Sequence, residues 1–440
     1  MKRKYLLYIG LIGICFLYTG SAYMSQFYRL MNFYDDIKVD IITSGYNYLF
    51  QALGIFLFIL GLNSNKLFNK KSTFIRLLIS GSLFMTISQL SNNPLLVVLS
   101  GYIFNLYIGI YSAFYINMLS QSCPHEKIGL SFGFAYALGS LGTYLLSLLD
   151  NGLFLTSKTI TAVYFILISI IISLIIYADE IENKQKFNFD FNDKHLLYLI
   201  LIVVVMTVIN VLGSDLYYSL PVAKDVNWNL IRAFYSSGLI IAGLLIDKNR
   251  FIGEVIVVGS LAYPLITTAL IGEGMTNTGV LSLSYFFRGF LTVYYISAFI
   301  FLSEKDKKYS VVSCLGLLIS RLVEAIMSLI IMSSNVPNII KLIFSSICFI
   351  PLLILFSLFQ RGQYAMPISR EKRLATFADK YELTSREMEI VSCLSQGLSD
   401  QEIGQKLFIS KNTVRFHISN ILKKTSSSSR IDIVNLFNIM

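Results

Sequence analysis

Charge is what this sequence has least of. Only 14% of its 440 residues are Asp, Glu, Lys or Arg, while 55% are apolar, and the mean hydropathy is +0.65. In an ordinary soluble globular chain about a quarter of the residues carry charge, so that class is excluded. Histidine is almost absent, and His125, His195 and His417 stand far apart. The five cysteines (Cys15, Cys123, Cys314, Cys348 and Cys393) are scattered with no Cys-x-x-Cys pair. Neither set has the spacing of a metal site, and no metal or cofactor is expected. The thiols, four of them in or near apolar runs, read as small hydrophobes. Any constellation of nucleophile, metal ligands or phosphate-binding loop is also missing, which argues against an enzyme.

What is present is a series of long apolar runs. "YFILISIIISLIIYA" (164–178) and "LLYLILIVVVMTVINVLG" (196–213) are long enough to cross a hydrocarbon core of about 30 Å as helices. Twelve such spans begin near residues 5, 41, 73, 94, 128, 159, 195, 229, 251, 279, 310 and 338. They are too many to hide inside a soluble protein, so the expected fold class is all-α: a polytopic transmembrane helical bundle over 1–360, with the lipid bilayer as its solvent. The basic start and small residues of "MKRKYLLYIGLIGICFLYTGSAYM" also suit a signal peptide. Its apolar run of about 20 residues favours a retained first span.

An even span count puts both ends of the chain on one side. With that side cytoplasmic, the inner segments carry Lys2, Arg3, Lys4, Lys66, Lys70, Lys71, Arg76, Lys127, Lys184, Lys186, Lys194, Lys248, Arg250, Lys305, Lys307 and Lys308. The outer loops hold Arg29, Lys38, Lys158, Lys224 and Arg232. The asymmetry places both termini in the cytoplasm of a cell-membrane protein.

The polar stretch 179–195 divides the spans into halves, about 1–178 and 195–360. "GLNSNKLFNKK" (61–71) follows the second span and "GLLIDKNRF" (243–251) follows the eighth. Each has Gly, then an acid or its amide four positions later, then Lys and further basic residues. The pair resembles the G-x-x-x-D-[RK]-x-G-x-[RK]-[RK] loop motif of the major facilitator superfamily. Gly61, Asn65, Lys66, Lys70 and Lys71 match in the first copy, and Gly243, Asp247, Lys248 and Arg250 in the second. Asn65 replaces the acid, and Phe68 and Arg250 stand where the second Gly would be. The resemblance implies two six-helix bundles around a central cavity, with a site near the bilayer midplane. Charges inside spans are costly and tend to face a bundle interior. Arg288, Arg321 and Glu324 are such charges, and the i, i+3 spacing of the last two allows them to pair. They read as a ligand or proton site, or as a structural ion pair. Asn47, Gln51, Asn105, Asn117 and Asn210 are polar residues that face inward or hydrogen-bond between helices.

After residue 360 the composition turns polar. Residues 361–382 read as a solvated cytoplasmic linker, with Arg370, Lys372 and Arg373 near anionic headgroups. From 383 short capped helices follow. "TSRE" (384–387) and "SDQE" (399–402) are capping boxes, Gly397 ends the first helix, and Ser410 caps a third after a turn at Phe408 and Ile409. A fourth begins near Ser429. At 100° per residue, Val414, Ile418, Ile421 and Leu422 of the third helix fall on one side. Asn412, Arg415, Phe416, Ser419 and Lys423 fall on the other, with Lys411 and Lys424 at its flanks. Two short helices joined by a tight turn, the second basic, make a helix-turn-helix.

Residues 383–440 closely resemble the LuxR-type helix-turn-helix domain of bacterial transcription regulators. Leu383, Thr384, Arg386, Glu387, Glu389, Gly397, Glu402, Ile403, Leu407, Ser410, Thr413, Val414, His417, Ile421, Lys424 and Arg430 match its pattern. Gly404 stands for the usual Ala and Thr425 for Leu. The resemblance implies that the third helix enters the major groove of double-stranded DNA. Asn412, Arg415, Phe416 and Ser419 would then face base edges, while Lys411, Thr413, Lys423 and Lys424 hold phosphates. His417 would pack or touch phosphate. The fourth helix would make a homodimer on DNA through Ile431, Val434 and Phe437. Together the two resemblances imply a membrane-embedded, one-component regulator responding to an unknown small-molecule or protein signal. The alternative is a transporter of a small solute with a regulatory DNA-binding tail.

Overall fold

The computed structural model describes residues 2–63, 71–148, 157–177, 194–218, 228–270, 277–305, 313–334, 336–365 and 370–439. The chain divides into two compact units, Met1–Phe359 and Gln360–Met440.

The first unit is built from twelve helical segments that begin close to the expected positions. They are α1 (Lys2–Met31), α2 (Asp36–Leu62), α3 (Lys71–Leu90), α4 (Pro94–Ser122), α5 (Ile128–Leu148) and α6 (Ser157–Tyr177). The second half supplies α7 (Lys194–Tyr218), α8 (Trp228–Lys248), α9 (Arg250–Thr267), α10 (Asn277–Lys305), α11 (Leu315–Ser334) and α12 (Asn338–Ala365). Among the described residues, eleven helices are long and apolar enough to cross a bilayer. The remaining expected span, near 229, is the 21-residue α8. Asn65, Lys66 and Lys70 of the first loop motif, and the polar stretch 179–193, lie outside the described residues.

Two helices are irregular. α2 turns π-helical over Ile41–Asn47, after its first α-helical turn, Asp36–Asp40, and α9 is interrupted at Leu261 and Ala262 before Pro264. The outer surface is apolar: Ile339, Ile343, Ile347, Ile350 and Ile354 are all exposed along α12. Their i, i+4 and i+3 spacing forms an apolar stripe suited to a lipid environment.

The halves meet mainly through two helix pairs, α5 with α8 and α2 with α11. Exchanging the halves, so that each helix becomes the one six places on, turns one pair into the other. This is the contact signature of an internal two-fold repeat. At the α5–α8 crossing the backbones touch. A Cβ on Gly133 would lie 2.3 Å from Leu239 O, and one on Gly243 would lie 2.4 Å from Gly129 O. Only glycine permits that approach. At the end of the crossing the Gly129 and Leu130 N–H groups donate to the Asp247 carboxylate at 2.9 and 2.7 Å. The acid of the second loop motif thus caps the first turn of a helix in the other half, where N–H groups lack partners.

The second unit packs α13 (Arg370–Lys380), α14 (Ser385–Leu394), α15 (Asp400–Leu407), α16 (Lys411–Thr425) and α17 (Arg430–Ile439) around one core. That core contains Phe377, Ile390, Val391, Leu394, Ile403, Val414, Ile421, Ile433 and Phe437. Its first helix corrects the linker reading. Leu374, Phe377 and Tyr381 form an apolar stripe at helical spacing, and Phe377 is fully buried in the core. The adjacent basic residues gave this segment the look of a solvated linker. Four of the five cysteines are buried and Cys348 is partly so, in keeping with their reading as small hydrophobes.

Candidate functional sites in the two units

In the first unit the three intramembrane charges come together. α11 carries Arg321 and Glu324 on one face, and α10 brings Arg288 against them. Glu324 accepts from both: Arg288 Nη2 at 3.1 Å on Oε1 and Arg321 Nη1 at 3.0 Å on Oε2. The Arg321 guanidinium also lies over the Tyr48 ring of α2, 4.4 Å from its centroid, a favourable cation–π geometry. The three charges line a cavity of about 300 Å³ between the halves, with Asn210, Ser320 and six tyrosines: Tyr23, Tyr48, Tyr136, Tyr235, Tyr285 and Tyr295. Tyr23 stacks on Tyr48, Phe16 stacks on Tyr136 at 4.4 Å, and the Tyr235 hydroxyl is 2.9 Å from Thr292 Oγ1.

Sequence reasoning found the charges but not this aromatic wall. With 27 tyrosines along the chain, nothing in their spacing distinguishes the six that converge. Of the inward polar residues, Asn210 lines the cavity. Asn47, Gln51 and Asn105 instead form a separate buried network. Asn105 Nδ2 and Asn47 Nδ2 donate to Gln26 Oε1 at 2.9 and 3.2 Å, and Gln51 Nε2 donates to Asn105 Oδ1 at 2.7 Å. Asn117 accepts from Gln121 on its own helix.

In the second unit the starts of α14, α15 and α16 are built as the sequence indicates. Thr384 with Glu387, and Ser399 with Glu402, form complete capping boxes, and Ser410 accepts from the Thr413 N–H. Gly397 (φ 76°) and Phe408 (φ 55°) adopt the left-handed conformation that ends α14 and α15. For Phe408 that conformation is unusual, and its ring is almost wholly exposed. On α16, Val414 and Ile421 are buried, and Ile418 and Leu422 pack against them. Lys411, Asn412, Arg415, Phe416, Ser419 and Lys423 are exposed together.

Two basic side chains on this helix already have acidic partners. Arg415 Nε donates to Asp400 Oδ2 at 3.2 Å, and Arg430 Nη1 reaches the other oxygen at 3.3 Å. Lys424 donates to Glu387 Oε2 at 2.7 Å and to the Glu382 carbonyl at 2.9 Å. Burial pushes the Glu387 carboxyl up, but Lys424 and Thr384 together hold it below the usual carboxylate value. Of the residues expected at a dimer contact, Ile431 is exposed and Val434 half-buried, while Phe437 lies in the core against Phe377. Ile433 and Phe437, four apart, take the inner side of α17, so Phe437 does not face outward as expected.

A six-plus-six bundle of apolar helices around a charged cavity, joined to a compact helix-turn-helix with a basic outer face, defines a membrane protein that carries a regulator-type domain. The comparisons agree with both parts. Residues 381–437 match the family of bacterial regulatory proteins, luxR family, and the C-terminal unit is a LuxR-type helix-turn-helix domain. It is similar to the transcriptional regulatory protein LiaR of Bacillus subtilis (strain 168), 48% identical over 48 residues, 11% of this chain and 23% of that protein. It is also similar to the nitrate/nitrite response regulator protein NarL of Escherichia coli (strain K12), 36% identical over 63 residues, 14% of this chain and 29% of NarL. The chain therefore spans only about a quarter of the length of these curated relatives. Among solved structures, the E. coli fucose:proton symporter FucP is similar in fold, with TM-score 0.55 and 12% identity over 81% of this chain and 98% of FucP. The nucleoside transporter NupG gives TM-score 0.52 and 14% identity over 80% of this chain and 98% of NupG. The membrane unit has the major facilitator fold.

Proposed function

We propose that this chain is a membrane-embedded, one-component transcription regulator. Its transporter-like unit acts as a sensor, and a signal bound there alters whether two cytoplasmic helix-turn-helix domains can act together on DNA. The observation that carries the reading is the presence, on one chain, of a LuxR-type domain with an exposed basic face and a transporter fold with a polar cavity. The lysine asymmetry of the connecting segments supports a cell-membrane protein with both termini in the cytoplasm.

On DNA, Arg415 would read guanine through a bidentate contact, with Asn412, Phe416 and Ser419 beside it. Lys411, Thr413 and Lys423 would hold phosphates. Lys424 would reach one only by exchanging its bond to Glu387. Ile431, with Val434 at its edge, supplies the apolar patch for a homodimer contact. Chromatin mapping of the full-length protein, followed by binding assays on the recovered sites, tests the proposal. Arg415→Ala should relax sequence preference at one position by about 1–3 kcal/mol, whereas Lys423→Ala should weaken all DNA alike and reduce the salt slope by about one. Failure of the full-length protein to bind any recovered site at low salt refutes the regulator reading.

The cavity between the halves also supports a second reading, a transporter of a small solute with a regulatory tail. Uptake into proteoliposomes separates the two. Accumulation abolished by Arg321→Ala would exclude a sensor that does not transport.

A further inference from the structure

The cavity's charge and shape specify more than a generic small molecule. Among the described residues that line it, three are charged, Arg288, Arg321 and Glu324, two cations to one anion. In a region of low dielectric, such an excess of positive charge favours a bound counter-anion. The arrangement also indicates which anion. A carboxylate, that of Glu324, already bridges the two guanidiniums at 3.1 and 3.0 Å, so the arginines are set at the spacing a carboxylate spans.

The rest of the described wall is uncharged, and tyrosines are its most frequent residue. Tyr23, Tyr48 and Tyr136 come from α1, α2 and α5 of the first half, and both arginines come from α10 and α11 of the second. Tyrosine rings accept a flat or ring-shaped body by stacking, and their hydroxyls can hydrogen-bond a polar substituent. At about 300 Å³, the space is at the small end of ligand cavities.

We propose that the cavity binds a small organic monoanion, a carboxylate on a single ring-sized body. The carboxylate shares or takes over the Glu324 position on Arg288 and Arg321, and the body lies against the tyrosines of the other half. Such a ligand bridges the halves and binds most tightly when they are closed on it, so it shifts their equilibrium. That this anion is also the signal read by the tail rests on the regulator reading above.

The test uses the full-length protein in lipid nanodiscs, without DNA, and benzoate as the probe. Benzamide and benzylamine serve as neutral and cationic counterparts, phenyl phosphate as the alternative anion, and hydroxybenzoates, cinnamate and short aliphatic acids complete the carboxylate panel. Carboxylates should raise the unfolding midpoint in proportion to the logarithm of their concentration. Benzamide and benzylamine should bind at least about tenfold more weakly, given the strength of charge-assisted bidentate pairs. Arg321→Gln should lose the effect, while Arg321→Lys keeps the charge without the fork and retains part of it. Glu324→Gln should bind carboxylates more tightly, because it removes the internal competitor. Each variant's monodisperse elution and its unfolding midpoint without ligand report that the membrane unit, which is compact by itself, has folded.

The proposal is overturned if benzylamine or benzamide binds as well as benzoate, or if phenyl phosphate alone binds. It is also overturned if Arg321→Gln responds like the parent, or if no carboxylate in the panel shifts the midpoint. Loss of anion binding with DNA binding intact refutes this inference and leaves the regulator reading standing. Carboxylate binding without DNA binding refutes the regulator reading alone.

Discussion

Lys424 and Arg415 lie on the same helix and carry the same charge, but their partners give them different roles. The side chain of Glu387 is only 4% exposed and receives the Lys424 ammonium at 2.7 Å. Removing that ammonium takes away the cation facing a buried carboxylate, which keeps only its bonds from Thr384. Lys424→Ala should therefore destabilise the C-terminal unit by about 2 kcal/mol, measured by urea denaturation of residues 370–440. A purely phosphate-contacting lysine would leave the midpoint unchanged. Arg415 is an exposed partner of Asp400, and a pair in water contributes little to stability. Asp400→Asn should leave the midpoint nearly unmoved and strengthen binding to all DNA sequences, because it removes the negative charge beside Arg415 and Arg430. Equal affinity for parent and variant at low salt would exclude that role for Asp400. The sequence indicated which α16 residues face outward. It gave no sign that Lys424 is engaged by Glu387, since the two residues are 37 positions apart.

The helix starts of the second unit depend on carboxylates, which gives them a pH dependence of known sign. The Ser399 N–H and hydroxyl lower the Glu402 carboxyl, and Ser428 and Ser429 lower that of Asp432. Glu387 is also held below its ordinary value of 4.5. A carboxyl whose folded value is depressed binds its proton more readily in the unfolded chain. Its stabilising effect is complete above the unfolded value and drains away as pH falls through the folded one. Thermal scans of residues 370–440 should show a constant midpoint from pH 7 to about 5 and a decline below pH 4.5. A Glu387→Gln, Glu402→Gln double variant should flatten that decline. In the membrane unit the sensitive element is the α5–α8 crossing. Gly133→Ala would place a methyl 2.3 Å from Leu239 O, so backbone must move. The variant should lose about 1–3 kcal/mol, seen as a lower unfolding temperature in detergent. Capping boxes and spans were legible because they depend on residues contiguous in the sequence. The glycine contact was not, because its partner is about a hundred residues away.

At the scale of the whole chain, the regulator reading has covalent tethering confine the DNA-binding unit to the membrane and raise its local concentration near neighbouring copies. A protease site inserted at 366–369, cleaved in the cell, should release the unit and disconnect target expression from the signal. A reporter still controlled by the signal after complete cleavage would mean that the membrane unit does not act through the tether. Hydrophobic run length, lysine asymmetry and two short motifs determined by themselves the all-α class, the six-plus-six layout and the LuxR-type tail. These features are local: a span needs only enough consecutive apolar residues, and a cap only its next three. The tertiary structure alone decided that Arg288 joins Arg321 and Glu324 on one cavity wall, that six tyrosines from both halves complete it, and that Phe377 and Phe437 close the core of the second unit. Each of these depends on side chains brought together by helix crossings, and no local periodicity records which distant helices will cross.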